Sequence, residues 1–346
     1  MLKAVLVGCG AMSRAWLEAA RQIDGLSIVG LVDIDEERAR SRAAEFGLDG
    51  AATGDSLDAM LDRTKPDVVF DVVVPAARPS VAFSAFAHGC HLLSEKPLAP
   101  SLADAHAMIA AARDAARIHA VVQNRRYIAP IRRIRRLIDS GAIGRPTSIH
   151  CDFFLAPHFG GFREDMDHVL LLDMAIHTFD AARAMSGLEG RRVYCHEWNP
   201  TSSWYRHGSS AAAIFDMSNG AVFNYCGSWC ADGARTSWEA AWRIVGERGS
   251  LVWNGADDIS AEVVAGDARD GLFDRTSPVE IPPLDAADAT GGHLGIMKQF
   301  VAAVGGGRLP ETVTTDNLNS LAMVFGAIRS AEIGQAVTIE IQDVSI

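Results

Sequence analysis

The chain runs from a short apolar segment, Lys3-Ala4-Val5-Leu6-Val7, straight into Gly8-Cys9-Gly10-Ala11-Met12-Ser13, and from there into Arg14 to Ile23, where apolar residues recur at helical spacing. Strand, tight glycine turn and helix in that order leave few folds open, because the helix N-terminus aims its unpaired N–H groups beyond the end of the strand. A pyrophosphate fits there only if no Cβ blocks the backbone. Gly8 and Gly10 meet that need, and the backbone of Ala11 and Met12 completes the turn. Ser13 takes the third small position of the G-x-G-x-x-G pattern. A second apolar segment, Ser27 to Val32, ends at Asp33, where an acidic side chain accepts a hydrogen bond from a ribose 2′-hydroxyl. These features imply a dinucleotide site.

The same rhythm continues to about residue 122. Helical segments at Glu36 to Phe46, Leu57 to Leu61, Val81 to His88 and Leu102 to Arg117 separate the apolar strands Asp67 to Val74, Cys90 to Ser94 and His119 to Val122. Continuously apolar strands separated by helices predict a doubly wound parallel sheet covered on both faces, here residues 1–122. From Thr147 the pattern changes, which sets residues 123–346 apart as a second α/β domain. A strand at Thr147 to Leu155 and a helix at His168 to Met185 are followed by strands at Arg191 to Trp198, Ala211 to Met217, Ala221 to Cys230, Ser237 to Val245 and Ser250 to Trp253. Ser218-Asn219-Gly220 carries a hairpin signal, so this sheet is expected to be large, open and mostly antiparallel. Helices at His293 to Val304 and Asp316 to Ile333, then a strand at Val337 to Ile341, close the chain, and the last helices have the option of packing back on the first domain.

A net charge of -11 argues against a nucleic-acid or anionic-membrane partner. The one strong basic run, Arg125, Arg126, Arg132, Arg133, Arg135 and Arg136, reads as a helix face paired with carboxylates elsewhere. No stretch is long and apolar enough for a membrane span, and the chain opens directly on a strand rather than on a signal peptide. Six cysteines without a C-x-x-C pair fit a reducing cytoplasm and no metal; Cys226 and Cys230 are read as two residues on one strand face.

Two further motifs stand out: the Glu95-Lys96-Pro97-Leu98-Ala99 turn, and Asp173-Met174-Ala175-Ile176-His177-Thr178-Phe179-Asp180 on the predicted helix. Together with Gly8-Cys9-Gly10 and Asp33, in this order and spacing, they resemble the glucose-fructose oxidoreductase, inositol dehydrogenase and rhizopine-catabolism (Gfo/Idh/MocA) family over nearly the whole chain. The resemblance implies a Rossmann domain followed by an α/β domain whose open sheet commonly forms the oligomer interface, an NAD cofactor, and oxidoreduction at a sugar or polyol carbinol. It assigns Lys96, Asp173 and His177 to catalysis, and puts Pro75 and Glu95 near the nicotinamide ribose. Gln123 and Asn124 would face cofactor and substrate. Two departures are Val169-Leu170-Leu171-Leu172, where relatives often carry glycines, and Arg78-Pro79-Ser80, where they often carry a histidine.

The residue types suit the chemistry. Asp173 and His177 are four apart and share one face of a helix. Oxidising a secondary alcohol removes a proton as well as a hydride, and a histidine suits the proton step while a lysine favours the developing alkoxide. Asp180, one turn on, is read as structural. His158, Arg163, His168, Tyr205 and His207 lie in polar, irregular stretches and are candidate substrate contacts. The leading expectation is an NAD(H)-dependent sugar or polyol dehydrogenase; an NAD-dependent glycosidase or epimerase using transient oxidation, and a non-catalytic NAD- or sugar-sensing regulator, stay open. Six of the seven tryptophans fall in the antiparallel region, from which a homodimer or homotetramer built through a tryptophan-rich sheet is expected.

Overall fold

A computed structural model describes residues 1–340, with the side chains of residues 267 and 268 outside the description. The chain divides into two units: Met1–Tyr127 with Ala289–Leu318, and Ile128–Asp288 with residues 319–340. The first unit thus extends past residue 122 and takes back a later segment, the return left open from sequence.

In the first unit β1 (Leu2–Val7), α1 (Ser13–Ala20), β2 (Leu26–Val32), α2 (Glu36–Glu45), β3 (Ala52–Gly54), α3 (Leu57–Thr64), β4 (Val68–Asp71), α4 (Arg78–Ala87), β5 (His91–Ser94), α5 (Leu102–Asp114) and β6 (His119–Val121) alternate strictly. The strands form one parallel sheet in the order β3-β2-β1-β4-β5-β6. Winding reverses between β1 and β4. At such a point the two connections leave in opposite directions and open a crevice beyond the carboxyl ends of the strands.

The second unit begins with α6 (Ala129–Asp139) and β7 (Pro146–Phe154). The helix expected from His168 starts differently: His168 is left-handed, with φ of 51°, and Leu170–Ala175 form a π-helical turn that runs into α7 (Ile176–Ser186). Strands β8 (Gly190–Trp198), β9 (Ser210–Met217), β10 (Val222–Ser228), β11 (Ala241–Gly246), β12 (Gly249–Trp253), β13 (Ile259–Asp270) and β14 (Phe273–Pro278) follow. Then α8 (His293–Val304) returns to the first unit, where Ile296, Met297 and Phe300 join Trp16, Phe70 and Leu93 in its core. The chain ends on α9 (Thr314–Ile333) and β15 (Val337–Thr338); Ile341, expected to end this strand, lies outside the described residues.

Among the described residues nine strands make the second sheet, in the order β14-β13-β12-β11-β7-β10-β9-β8-β15, antiparallel except where β10 lies parallel to β7. Asn219 closes the β9–β10 hairpin by accepting the Ala221 N–H through its side chain. One face is covered: Phe179 of α7 meets Phe215, Phe223 and Tyr225 edge-on. Beneath them Asp180 accepts from Ser320, and Arg183 donates to Ser320 and Glu189.

Of the six tryptophans expected on the open face, the strands present Trp198 there. Trp229, Trp242 and Trp253 are buried, Trp204 stacks on His158, and Trp238 lies outside the strands. Exposed Tyr194, Trp198, Ile214 and Val252 alternate with those buried positions and supply the apolar part of the open face. Sequence counts tryptophans but not which way each one points. Cys226 is on β10, whereas Cys230 lies past its end among Ser209, Ser210 and Ser228, and no metal-ligating cluster occurs among the described residues. The basic run meets carboxylates and carbonyls as expected: Arg126 pairs with Asp316, Arg136 with Asp285 and Asp288, and Arg133 donates to the carbonyls of Ile281 and Pro282.

Candidate active site

The glycine turn leaves β1 with Gly8 at φ 93°, where a Cβ would lie 2.7 Å from the Val72 backbone; the turn packs too closely for any side chain. A Cβ on Gly10 would meet nothing within 4 Å, because this residue faces a cleft of about 370 Å³ lined by Gly8, Gly10, Asp33, Arg38 and Val74. Ser13 is fully buried and donates through Oγ to the Gly10 carbonyl at 2.6 Å, so a serine serves at the third position by closing the turn. Ala11 and Met12 are exposed just ahead of α1. Asp33 accepts the Cys9 N–H at 2.7 Å and the Asp35 N–H at 3.0 Å, which fixes its carboxylate beside the turn. Burial pushes the Cys9 thiol up to about 12, with Asp33 adding to it, so this cysteine stays protonated.

Arg42 of α2, which sequence reasoning passed over, donates to the Cys9 and Gly10 carbonyls at 3.3 and 3.1 Å while it pairs with Glu45. Its guanidinium turns a bare loop into a braced one and sets a positive charge under the place where a pyrophosphate needs it. The backbone approach at Gly10, the amino end of α1 and the anchored Asp33 together fit an NAD dinucleotide.

The Glu95-Lys96-Pro97 turn follows β5. Glu95 is buried and accepts Trp16 Nε1–H at 2.8 Å, the Lys96 N–H at 3.1 Å, and a contact from His293 Nε2 at 3.3 Å. Burial works against its charge, but hydrogen bonds from His293 and Trp16 outweigh it and hold the carboxyl below its usual range. Glu95 is thus an ionised anchor for the half-buried Lys96 that follows. Pro97 is held from the other side. Arg78, at the start of α4, donates to the Pro97 carbonyl, to the Val73 carbonyl at 2.9 Å and to Asp71 at 2.9 Å. Pro75 opens the short 3₁₀ turn Pro75–Ala77 just ahead. Buried Gln123 follows β6, and Asn124 starts the 3₁₀ turn Asn124–Tyr127.

In the second unit Asp173 sits half-buried within the π-helical turn and His177 lies buried in the first turn of α7. The wider π turn still brings residues four apart to nearly one turn, and such insertions recur at functional sites. Arg163 Nε reaches Asp173 Oδ2 at 2.9 Å, and its guanidinium lies over the rings of Phe159 and Phe162.

The other loop candidates differ in role. Tyr205 is buried with its hydroxyl on the Pro157 carbonyl, and burial raises that hydroxyl to about 12. With Arg206 N–H on the Glu164 carbonyl and His207 near Asp167, it ties the 157–168 loop to the 199–209 loop. His158 is spent in stacking on Trp204 at 3.7 Å. His168 bonds Glu197 at 2.5 Å. Of these candidates Arg163 reaches Asp173 directly.

A six-stranded parallel sheet with an anchored acid after β2, joined to a large open sheet, defines the class of two-domain, dinucleotide-dependent oxidoreductases. The family model for oxidoreductases with an NAD-binding Rossmann fold, GFO/IDH/MocA, matches residues 2–123, and that family's C-terminal domain model matches residues 131–252. A D-apiose dehydrogenase of Paraburkholderia graminis is 30% identical over 348 residues, covering 98% of this chain and 90% of that protein. A 1,5-anhydro-D-fructose reductase of Ensifer adhaerens is 24% identical, covering 97% and 98%. Among solved structures, an oxidoreductase from Agrobacterium radiobacter in complex with NAD+, L-tartaric acid and magnesium superposes with a TM-score of 0.84 at 23% identity, covering 98% of each chain. The chain belongs to the Gfo/Idh/MocA oxidoreductase family. It is an NAD-binding oxidoreductase. Among the described residues no helix is long and apolar enough to cross a membrane.

Proposed function

We propose that this protein is an NAD(H)-dependent dehydrogenase that oxidises a secondary alcohol of a sugar, polyol or sugar derivative, or reduces the matching ketone. Dehydrogenases of D-apiose and inositol among the similar proteins support that substrate class. The observation that carries the reading is a half-buried acid and a buried histidine four residues apart where a π-helical turn enters α7, in a chain whose other unit holds the braced glycine turn and the anchored Lys96.

Bound NAD+ supplies the hydride acceptor. His177 takes the hydroxyl proton as the C–H bond breaks and returns it in the reverse direction. Lys96 stabilises the developing alkoxide, and Asp173 holds the imidazole or a neighbouring hydroxyl. Glu95 and Arg78 fix the turn that carries Lys96, and Arg42 and Ser13 fix the turn that receives the pyrophosphate. The open face of the nine-stranded sheet, with Tyr194, Trp198, Ile214 and Val252 exposed, is proposed as the contact of a homodimer or homotetramer.

An NAD+-reduction screen across inositols, D-apiose and other aldoses, keto-sugars and glycosides tests the reading. Stoichiometric NADH formed with one of these substrates supports it. NADH binding without reduction on any of them would instead favour a sensor, and tightly retained cofactor with glycoside cleavage would favour transient oxidation.

A further inference from the structure

Arg163 is held in an unusual way for a loop residue. Its Nε is committed to Asp173 at 2.9 Å, and its Cζ lies 4.9 Å from the Phe159 ring centre and 5.0 Å from that of Phe162. Phe159 is itself wedged against Trp229 and Trp238, at 5.3 and 6.3 Å. The loop around it is braced by Tyr205 Oη–H on Pro157 O, by Arg206 N–H on Glu164 O and by the Arg206–Asp165 ion pair. Yet Arg163 is 31% exposed, and no described residue accepts from its Nη1 or Nη2 groups.

A guanidinium has two edges for carboxylates. The side edge uses Nε and one Nη, the end edge uses both Nη groups, and either one binds a carboxylate in a planar, two-bond fork. Asp173 takes the side edge through one oxygen. The end edge is left open, at a fixed place and in direct reach of the acid proposed to act on substrate. Aromatic rings on the guanidinium limit its rotamers, so little side-chain entropy remains to be lost when an anion binds. A surface arginine that only balanced Asp173 would need neither the two rings nor the braced loop.

We propose that Arg163 is the substrate carboxylate receptor of this site, and that the physiological substrate is a hydroxy acid of the sugar-acid class, an aldonate or uronate, rather than a neutral polyol. The inference rests on the reading of Asp173 as a substrate-contacting residue. Asp173 and the carboxylate then share one guanidinium, which sets the distance from the acid group to the hydroxyl being oxidised. In a chain of net charge -11, a local cation of this kind is also what lets an anionic substrate approach.

The test is a binding measurement that does not depend on turnover. The full-length enzyme loaded with NADH is titrated calorimetrically with threonate and with threitol, which share a carbon skeleton and differ in one carboxylate. Threonate is expected to bind at least about tenfold more tightly, the scale of one charge-assisted fork. That preference should vanish in Arg163→Met, which keeps the apolar stem, and persist in part in Arg163→Lys. Thermal melts of both variants report whether the loop still folds, and the threonate-to-threitol ratio is read within each protein. Equal affinity in the wild type, no detectable binding of either probe, or a preference that survives Arg163→Met overturns the proposal. If threonate is preferred but neither a sugar acid nor any neutral substrate of the screen supports NAD+ reduction, the carboxylate site stands and the dehydrogenase reading fails.

Discussion

Arg78 and Asp71 form an ion pair at 2.9 Å with side chains 1% and 0% exposed, and the same guanidinium holds the Pro97 and Val73 carbonyls. Asp71 returns a bond by accepting the Val73 N–H at 3.1 Å. One buried cation therefore fixes both the loop after β4 and the turn carrying Lys96. Removing one partner of a buried pair strands the other charge, at a cost of about 3–5 kcal/mol. Arg78→Met should lower denaturant stability on that scale and reduce turnover. The double change Arg78→Met with Asp71→Leu should regain much of the stability but not the turnover, because the Pro97 carbonyl stays unheld. Recovery of both by the double variant would reduce Arg78 to packing alone.

Cofactor choice should favour NAD(H) over NADP(H). Asp33 accepts two backbone N–H groups and offers its remaining lone pairs to a ribose diol, while its charge repels a 2′-phosphate. From sequence, no cation follows Asp33 closely. In the fold, Arg38 lines the same cleft, occupied in an exposed pair with Asp35 at 3.2 Å. Asp33→Ser should therefore do more than weaken NAD(H): with Arg38 at hand it should shift the NADP(H) to NAD(H) ratio of kcat/KM by at least about tenfold. The wild type preferring NADP(H) would contradict the role given to Asp33.

His168 provides a pH test. The hydrogen bond to mostly buried Glu197 raises its pKa, so the folded state binds this proton more tightly than the unfolded chain, whose histidine titrates near ~6.5. The contribution is complete below that value and is lost as pH rises through the folded-state pKa. Melting temperature should fall between about pH 6 and 8 in the wild type, and fall less in His168→Gln. Because His168 is about a quarter exposed, at 26%, a shift of a few degrees is expected, not collapse. Parallel curves for the two proteins would remove His168 from the balance.

Much of the first unit could be read locally. Strand, glycine turn and acid lie within 33 residues, so backbone requirements at Gly8 and hydrogen-bonding capacity at Asp33 are visible in sequence order. The braces are not, since Arg42 to Gly10, Arg78 to Pro97 and Arg163 to Asp173 join residues that only the fold brings together, and arginines look alike in sequence. The π turn escaped for another reason. Val169 to Leu172 are apolar helix formers whose spacing cannot reveal one extra residue in a turn. Likewise β14 is exposed along its whole length, so its residues carry no alternation of burial to detect.

Self-association should fail with loss of the open face. Tyr194 and Ile214 face outward from the neighbouring strands β8 and β9, directly opposite one another in the ladder. Ile214→Glu with Tyr194→Arg would put charge into any contact formed there, so light scattering should show the wild type as a dimer or tetramer at micromolar concentration and the variant as a smaller species with unchanged circular dichroism. A monomeric wild type would refute the interface directly.

The catalytic assignment leads to the sharpest contrast between binding and chemistry. Lys96 belongs to the first unit, on a turn anchored by Glu95, and Asp173 and His177 belong to the second. His177→Ala and Lys96→Ala should each lower kcat by about two orders of magnitude or more, the usual scale for a general base or a charge-stabilising group. NADH affinity should hardly change in His177→Ala, because Gly8, Gly10, Asp33 and Arg42 carry it. The limb of the pH–rate profile due to the imidazole should disappear with the residue. Asp173→Asn should lie between wild type and His177→Ala, since an amide still hydrogen-bonds but no longer stabilises an imidazolium or completes the pair with Arg163. Wild-type turnover in His177→Ala on the enzyme's own substrate would transfer the proton step to another group, and Lys96, the other proton-carrying side chain assigned to the site, would be the first to test.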